Sequence, residues 1–89
     1  MKLKDEFITH YGVDGTVLLA TGDEAKNFHG IVKLNETAAK IVELLKKETT
    51  VDEILSNFVK DYPDIDKETL RKDIENIISQ LESIHAIVK

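Results

Sequence analysis

At 89 residues, with no cysteine and a formal net charge of −5, the chain has room for one domain, residues 1–89, and one small core. The missing cysteines exclude a disulfide scaffold, a thiolate nucleophile and a cysteine metal site. The excess of acid works against phosphate backbones and anionic lipid, so neither nucleic acid nor membrane is an expected partner. A domain this small buries only roughly 60–65% of the surface its unfolded chain exposes. The opening MKLKDEF lacks the apolar core of a signal peptide, and no run of about 18 apolar residues follows, so a cytoplasmic protein is expected. Asn35-Glu36-Thr37 matches the glycosylation sequon, which without secretion has no use.

Strand signals fill the N-terminal third. Glu6 to Val13 and Thr16 to Thr21 are rich in β-branched and aromatic residues, and Asp14-Gly15 between them suits a type I′ turn. With that turn, Val13 would face Thr16, Tyr11 would face Leu18 and His10 would face Leu19. Gly22-Asp23-Glu24 marks a second reversal, and Asn27 to Leu34, interrupted by Gly30, reads as a third extended segment at the edge of an antiparallel meander. Phe7, Tyr11 and Leu18 lie on one face of the hairpin and Ile8, Val17 and Leu19 on the other, so both faces are apolar and the pattern leaves open which one helices cover.

From Asn35 the period turns helical with no loop. Asn35 is a good N-cap, Glu36 sets negative charge on the first turn, and Leu34 and Ala39 have the spacing of a hydrophobic staple. Ala38, Ile41, Val42 and Leu45 then form one apolar stripe. Thr50 to Glu53 fits a capping box ahead of the stripe Val51, Ile54, Leu55, Phe58, Val59 and Tyr62, which Pro63 ends. Asp66 caps a last helix, with Ile65 and Leu70 spaced as a staple and Leu70, Ile74, Ile77, Leu81 and Ile84 predicted as its buried face. Ile78 falls to one side of that stripe. Ala86 to Val88 reads either as a short returning strand or as a packed end. The order, three strands and then three helices, predicts an α+β domain with a three-stranded antiparallel sheet.

Side chains able to carry chemistry are scattered. His10, His29 and His85 show no HxxH or HExxH spacing, so no metal is expected. Asp23-Glu24, Asp52-Glu53 and the pair Asp64 and Asp66 sit at turns and helix starts, where carboxylates cap N–H groups. The glycines form no phosphate-binding loop, and Ser56, Ser79 and Ser83 lack nucleophile-elbow neighbours. An enzyme acting alone is therefore not expected, nor is a cofactor.

The run Leu34-Asn35-Glu36-Thr37-Ala38, followed by Ile41 and Leu44-Leu45, then by Thr50-Val51-Asp52-Glu53-Ile54, Tyr62, Asp73-Ile74 and Leu81, resembles the PqqD family of small peptide chaperones. Members of that family look like the recognition domains called RiPP recognition elements. The resemblance spans nearly the whole chain. It implies a winged-helix-like fold that binds the leader segment of a precursor peptide and hands it to a radical-SAM or other maturase enzyme. In relatives the leader adds a strand to the third β-strand and lies against the third helix. On this sequence that maps the edge onto Phe28, His29, Gly30, Ile31, Val32 and Lys33, and the opposing wall onto Leu70, Arg71, Ile74 and Ile78. Relatives often carry a bulky aromatic where this chain has Val42.

The residues read without the family reach a compatible expectation. An open sheet edge offers N–H and C=O groups to an extended peptide, and flanking apolar pockets select its side chains. The alternatives are a DNA-binding winged helix and a structural subunit or homodimer that closes its own β edge. The last helix opposes Lys67, Arg71 and Lys72 with Glu68, Asp73, Glu75 and Glu82, which leaves no basic stripe for phosphates.

Overall fold

The computed structural model describes residues 1–13, 15–27 and 30–88. The elements in chain order are β1 (Lys2–Leu3), β2 (Phe7–Gly12), β3 (Gly15–Ala20), α1 (Glu24–Asn27), β4 (Ile31–Leu34), α2 (Glu36–Leu44), α3 (Val51–Asp61), α4 (Lys67–Ser83) and β5 (Ile87–Val88). The architecture is α+β. The main sheet is antiparallel with order β2-β3-β4, and β1 pairs with β5 in a separate two-stranded ribbon. The segment expected to be extended from Asn27 instead has its beginning in α1, and the strand starts only at Ile31. Phe28 and His29 lie outside the described residues.

The hairpin register differs from the expected one. Gly12 pairs with Gly15, so the reversal begins at Val13, and Tyr11 faces Thr16 while His10 faces Val17. Asp14 lies outside the described residues. Gly15 takes φ +117°, a backbone region open to glycine, and so holds the first position of β3 where an Asp-Gly turn would have used it as a turn residue. The slip moves each partner by two positions, and since side chains alternate with period two every residue keeps its face. Phe7, Leu18, Val32 and Leu34 point to the helices, with Phe7 and Leu18 fully buried. The opposite face leaves Ile8 and Ile31 exposed.

Each helix begins as its first residues dictate. Asn35 Oδ1 accepts from the Ala38 N–H at 2.8 Å, which lets β4 pass into α2 through one residue. Thr50 Oγ1 accepts from the Glu53 N–H at 3.2 Å, but the Glu53 carboxylate accepts from the buried Thr49 hydroxyl at 3.0 Å rather than completing the box. Asp66 accepts from the Glu68 N–H at 3.2 Å and from the Thr69 hydroxyl at 2.8 Å. Tyr62, held at φ −131° and ψ 74° ahead of Pro63, closes α3 because proline excludes its predecessor from the helical region. At the end of α4, His85 adopts φ +61°, its N–H donating to Glu82 O and that of Ala86 to Leu81 O, the paired bonds of a Schellman motif.

Ile41, Val42 and Leu45 of the α2 segment, Ile54 and Phe58 of α3, and Leu70, Ile74, Ile78 and Leu81 of α4 meet the inner sheet face in one cluster. The inward stripe of α4 therefore runs through Ile78 and not, as the pattern predicted, through Ile77. Successive steps of four from Leu70 to Ile74 and Ile78 turn the buried stripe progressively to one side, and Ile77, about 100° round the helix from Ile78, is left partly buried at the margin of the cluster. The ribbon shuts the base of the core: Leu3 N–H donates to Leu45 O at 2.7 Å, and Ala86 beneath it is fully buried. Tyr11 OH donates to Glu43 Oε2 at 3.0 Å and Lys46 Nζ to Thr9 Oγ1 at 3.2 Å, so the hairpin is also fastened to the end of α2.

Candidate functional site

β4 holds β3 on one side and, among the described residues, no strand on the other. Its residues alternate as an edge strand over a core must. Val32 and Leu34 turn in, while Ile31, 62% exposed, and Lys33 turn out. Because Asn35 caps α2 immediately, the strand is anchored at its C-terminal end to a rigid helix. The unpaired groups of β4 thus stand in a fixed frame.

Between this edge and α4 runs a groove of about 550 Å³. Val32, Lys33 and Leu34 form the strand wall, and Asp73, Asn76, Ile77, Gln80, Leu81, Ser83 and Ile84 the helix wall, with Asn35, Thr37 and Ala38 from the start of α2. The helix wall follows i, i+3, i+4, i+7 spacing from Asp73, a stripe turned away from the core stripe. Apolar contact comes from Val32, Leu34, Ile77, Leu81 and Ile84, and amide groups from Asn76 and Gln80. Such a mixture can take apolar side chains while hydrogen-bonding a main chain, and it holds no nucleophile paired with a base. Among the described residues no group of three His, Cys, Asp or Glu side chains could hold a metal ion, and no helix is long and apolar enough to cross a membrane.

The predicted site residues separate on this geometry. Ile31, Val32 and Lys33 form the edge, and exposed Gly30 precedes it at a bend. On α4, Leu70, Ile74 and Ile78 are buried in the core, and Arg71 is turned to α3, its Nη2 2.8 Å from Asp52 Oδ1. None of those four lines the groove. The residues that do, Asp73, Asn76, Ile77 and Gln80, carried one signal in the sequence. Ile77 and Ile78 are adjacent, and only one of two adjacent helical residues can sit at the centre of a buried stripe.

The family model for Coenzyme PQQ synthesis protein D (PqqD) matches residues 15–87, from the first residue of β3 to β5. The chain belongs to the PqqD family. The resemblance drawn from the LNETA run and the helix starts after it therefore holds. This PqqD-family chain is also similar to two solved structures. One is TbiB1 in complex with the TbiA(beta) leader peptide, 22% identical over 93% of this chain and 90% of that one, with a TM-score of 0.73. The other is a lasso peptide synthetase B1 complexed with the leader peptide, 20% identical over 99% of this chain and 96% of that one, with a TM-score of 0.74. At those identities the likeness is one of fold. No curated protein matches the sequence.

Proposed function

We propose that residues 1–89 form a single non-catalytic adaptor domain that binds the leader segment of a ribosomally made precursor peptide and presents it to a modifying enzyme. The leader adds a strand to the open edge of β4, pairing with the backbone of residues 30–33, and sets its apolar side chains against Ile77, Leu81 and Ile84. The observation that carries this reading is the groove of about 550 Å³ between an unpaired edge strand and a helix flank. Two structures of the same fold, each complexed with a leader peptide, support it. The recipient is a radical-SAM or other maturase enzyme, and the setting is cytoplasmic.

Magnitudes favour a combined mode of binding. A four-residue edge turns about two N–H and two C=O groups outward, each bond worth roughly 1 kcal/mol net. That total falls short of the roughly −8 kcal/mol of micromolar binding, and association has its own entropic cost. Two or three apolar anchors at about 1.5–3 kcal/mol each make up the difference. The test is calorimetric titration with the leader of the precursor encoded beside this gene, with duplex DNA as the control. Micromolar or tighter leader binding without DNA binding is expected. No leader binding, or tight DNA binding at moderate salt, overturns the proposal.

A further inference from the structure

Next to the β4 groove lies a second cavity, of about 260 Å³, between the first turn of α2, the end of α3 and the start of α4. The two share Thr37 and Asp73, so a peptide leaving the groove at that end enters the cavity. We propose that this cavity holds a lysine or arginine side chain of the bound peptide, one placed immediately outside the segment that pairs with β4. The inference rests on the groove being a peptide site and adds a specificity that this reading does not contain.

The floor of the cavity is apolar, built from Phe58 and Leu70, both buried, with the exposed ring of Tyr62 at the rim. An aliphatic stem fits such a floor, and the charges around it decide what the stem must end in. Lys40 is satisfied within the chain: it pairs with Asp61 and stands 4.7 Å from the centroid of the Phe58 ring and 5.5 Å from that of Tyr62. The carboxylates of Glu36 and Asp73 have no ion-pair or hydrogen-bond partner among the described residues. Two open carboxylates over an apolar floor repel an acidic residue and would be partly desolvated by an apolar one. A long side chain with a buried stem and a cationic tip satisfies both surfaces.

Topology fixes the place of the basic residue. β4 runs from Ile31 to Leu34 and enters α2 at Glu36, so the cavity lies beyond the Leu34 end of the strand. A peptide laid antiparallel to β4, like every pairing in this sheet, puts the residue before its paired segment there. At about 260 Å³ the cavity falls below the ~300–1,000 Å³ of drug-sized pockets and suits a single side chain.

The experiment selects displayed random peptides on the full chain and on the variant Glu36→Gln, whose side chain lines the cavity and not the groove, after circular dichroism has shown that the variant keeps its fold. Wild type is expected to enrich an apolar strand-forming segment preceded by lysine or arginine, and the variant the same segment with a weaker basic preference. For one selected peptide, replacing the basic residue by glutamine should weaken binding about fivefold to wild type and less than twofold to the variant. Enrichment of the segment by wild type without the basic residue overturns this inference alone, as does an equal basic preference in both proteins. No enrichment of any strand-forming segment overturns the groove reading itself.

Discussion

Ile77 and Ile78, consecutive in α4, divide between the two surfaces of that helix: Ile78 is 7% exposed and packed in the core, and Ile77 lies along the groove beside β4. Ile78→Ala is expected to cost about 2–4 kcal/mol, since the space it leaves lies within the buried core cluster. Ile77→Ala, at a partly buried position, should cost about 1 kcal/mol while weakening leader binding about tenfold. Urea unfolding and peptide titration of both variants check the division. Equal stability losses would mean that both side chains are core.

The caps give a second expectation. Asn35→Ala removes the bond to the Ala38 N–H and should cost about 1 kcal/mol, read from the urea midpoint at unchanged slope. Asn35→Asp keeps an acceptor at the same place and is expected to retain most of that stability.

Two backbone positions with positive φ should respond in opposite directions. His85 at +61° closes α4 in a conformation that glycine adopts without strain, so His85→Gly should stabilise by about 0.5–1 kcal/mol. Gly15 at +117° has open space where a Cβ would go, so Gly15→Ala suffers backbone strain alone and should lose about 1–3 kcal/mol. Thermal melts of the two variants, shifted up and down from wild type, are the measurement.

Acid should weaken the fold through two carboxylates. The Thr69 hydroxyl, and then the Glu68 N–H, hold Asp66 below its usual pKa, while the Lys46 ammonium and the Tyr11 hydroxyl do the same for Glu43. A carboxylate whose folded pKa is lowered stabilises fully above the unfolded value of about 4 and loses that contribution as pH falls through the lowered folded value. Stability should therefore decline below about pH 4. In Asp66→Asn, which keeps a capping oxygen but cannot titrate, the decline should be shallower. Identical acid profiles for the two proteins would refute the assignment.

Proline scanning tests the edge itself. N–H groups along an edge strand alternate between the neighbouring strand and the open side, so Ile31→Pro and Val32→Pro cannot behave alike. One should break the ladder to β3 and melt far below wild type, and the other should stay folded and fail to hold the leader. A folded variant with wild-type affinity would place the peptide on another surface.

The elements and caps of this chain were legible because they are local. Asn35, Thr50 and Asp66 each sit one residue before a helix they cap, and spacing alone places Ile41 and Val42 of α2 and Ile54 and Phe58 of α3 in the core, while Tyr62, expected on the same stripe, closes α3 with its ring exposed. The family was legible from the order and spacing of such local pieces together, the LNETA run at the strand-to-helix junction and the capping box and apolar positions that follow it. The hairpin register escaped because Gly12 and Gly15 serve a turn begun at Val13 as well as Asp14-Gly15 serves another. The choice of sheet face also lay beyond the pattern, since Ile8 and Leu19 are as apolar as Phe7 and Leu18, and only packing against Ile41, Ile74 and Ile78 buries one set. For the groove, the sequence reading included Val32 and Lys33 but set the core residues Leu70, Ile74 and Ile78 on the facing wall. Periodicity identifies the face a helix buries, whereas a binding groove is lined by the flank left over. Which flank remains, here the one bearing Asp73, Asn76, Ile77 and Gln80, is decided by where the rest of the chain comes to rest against the helix.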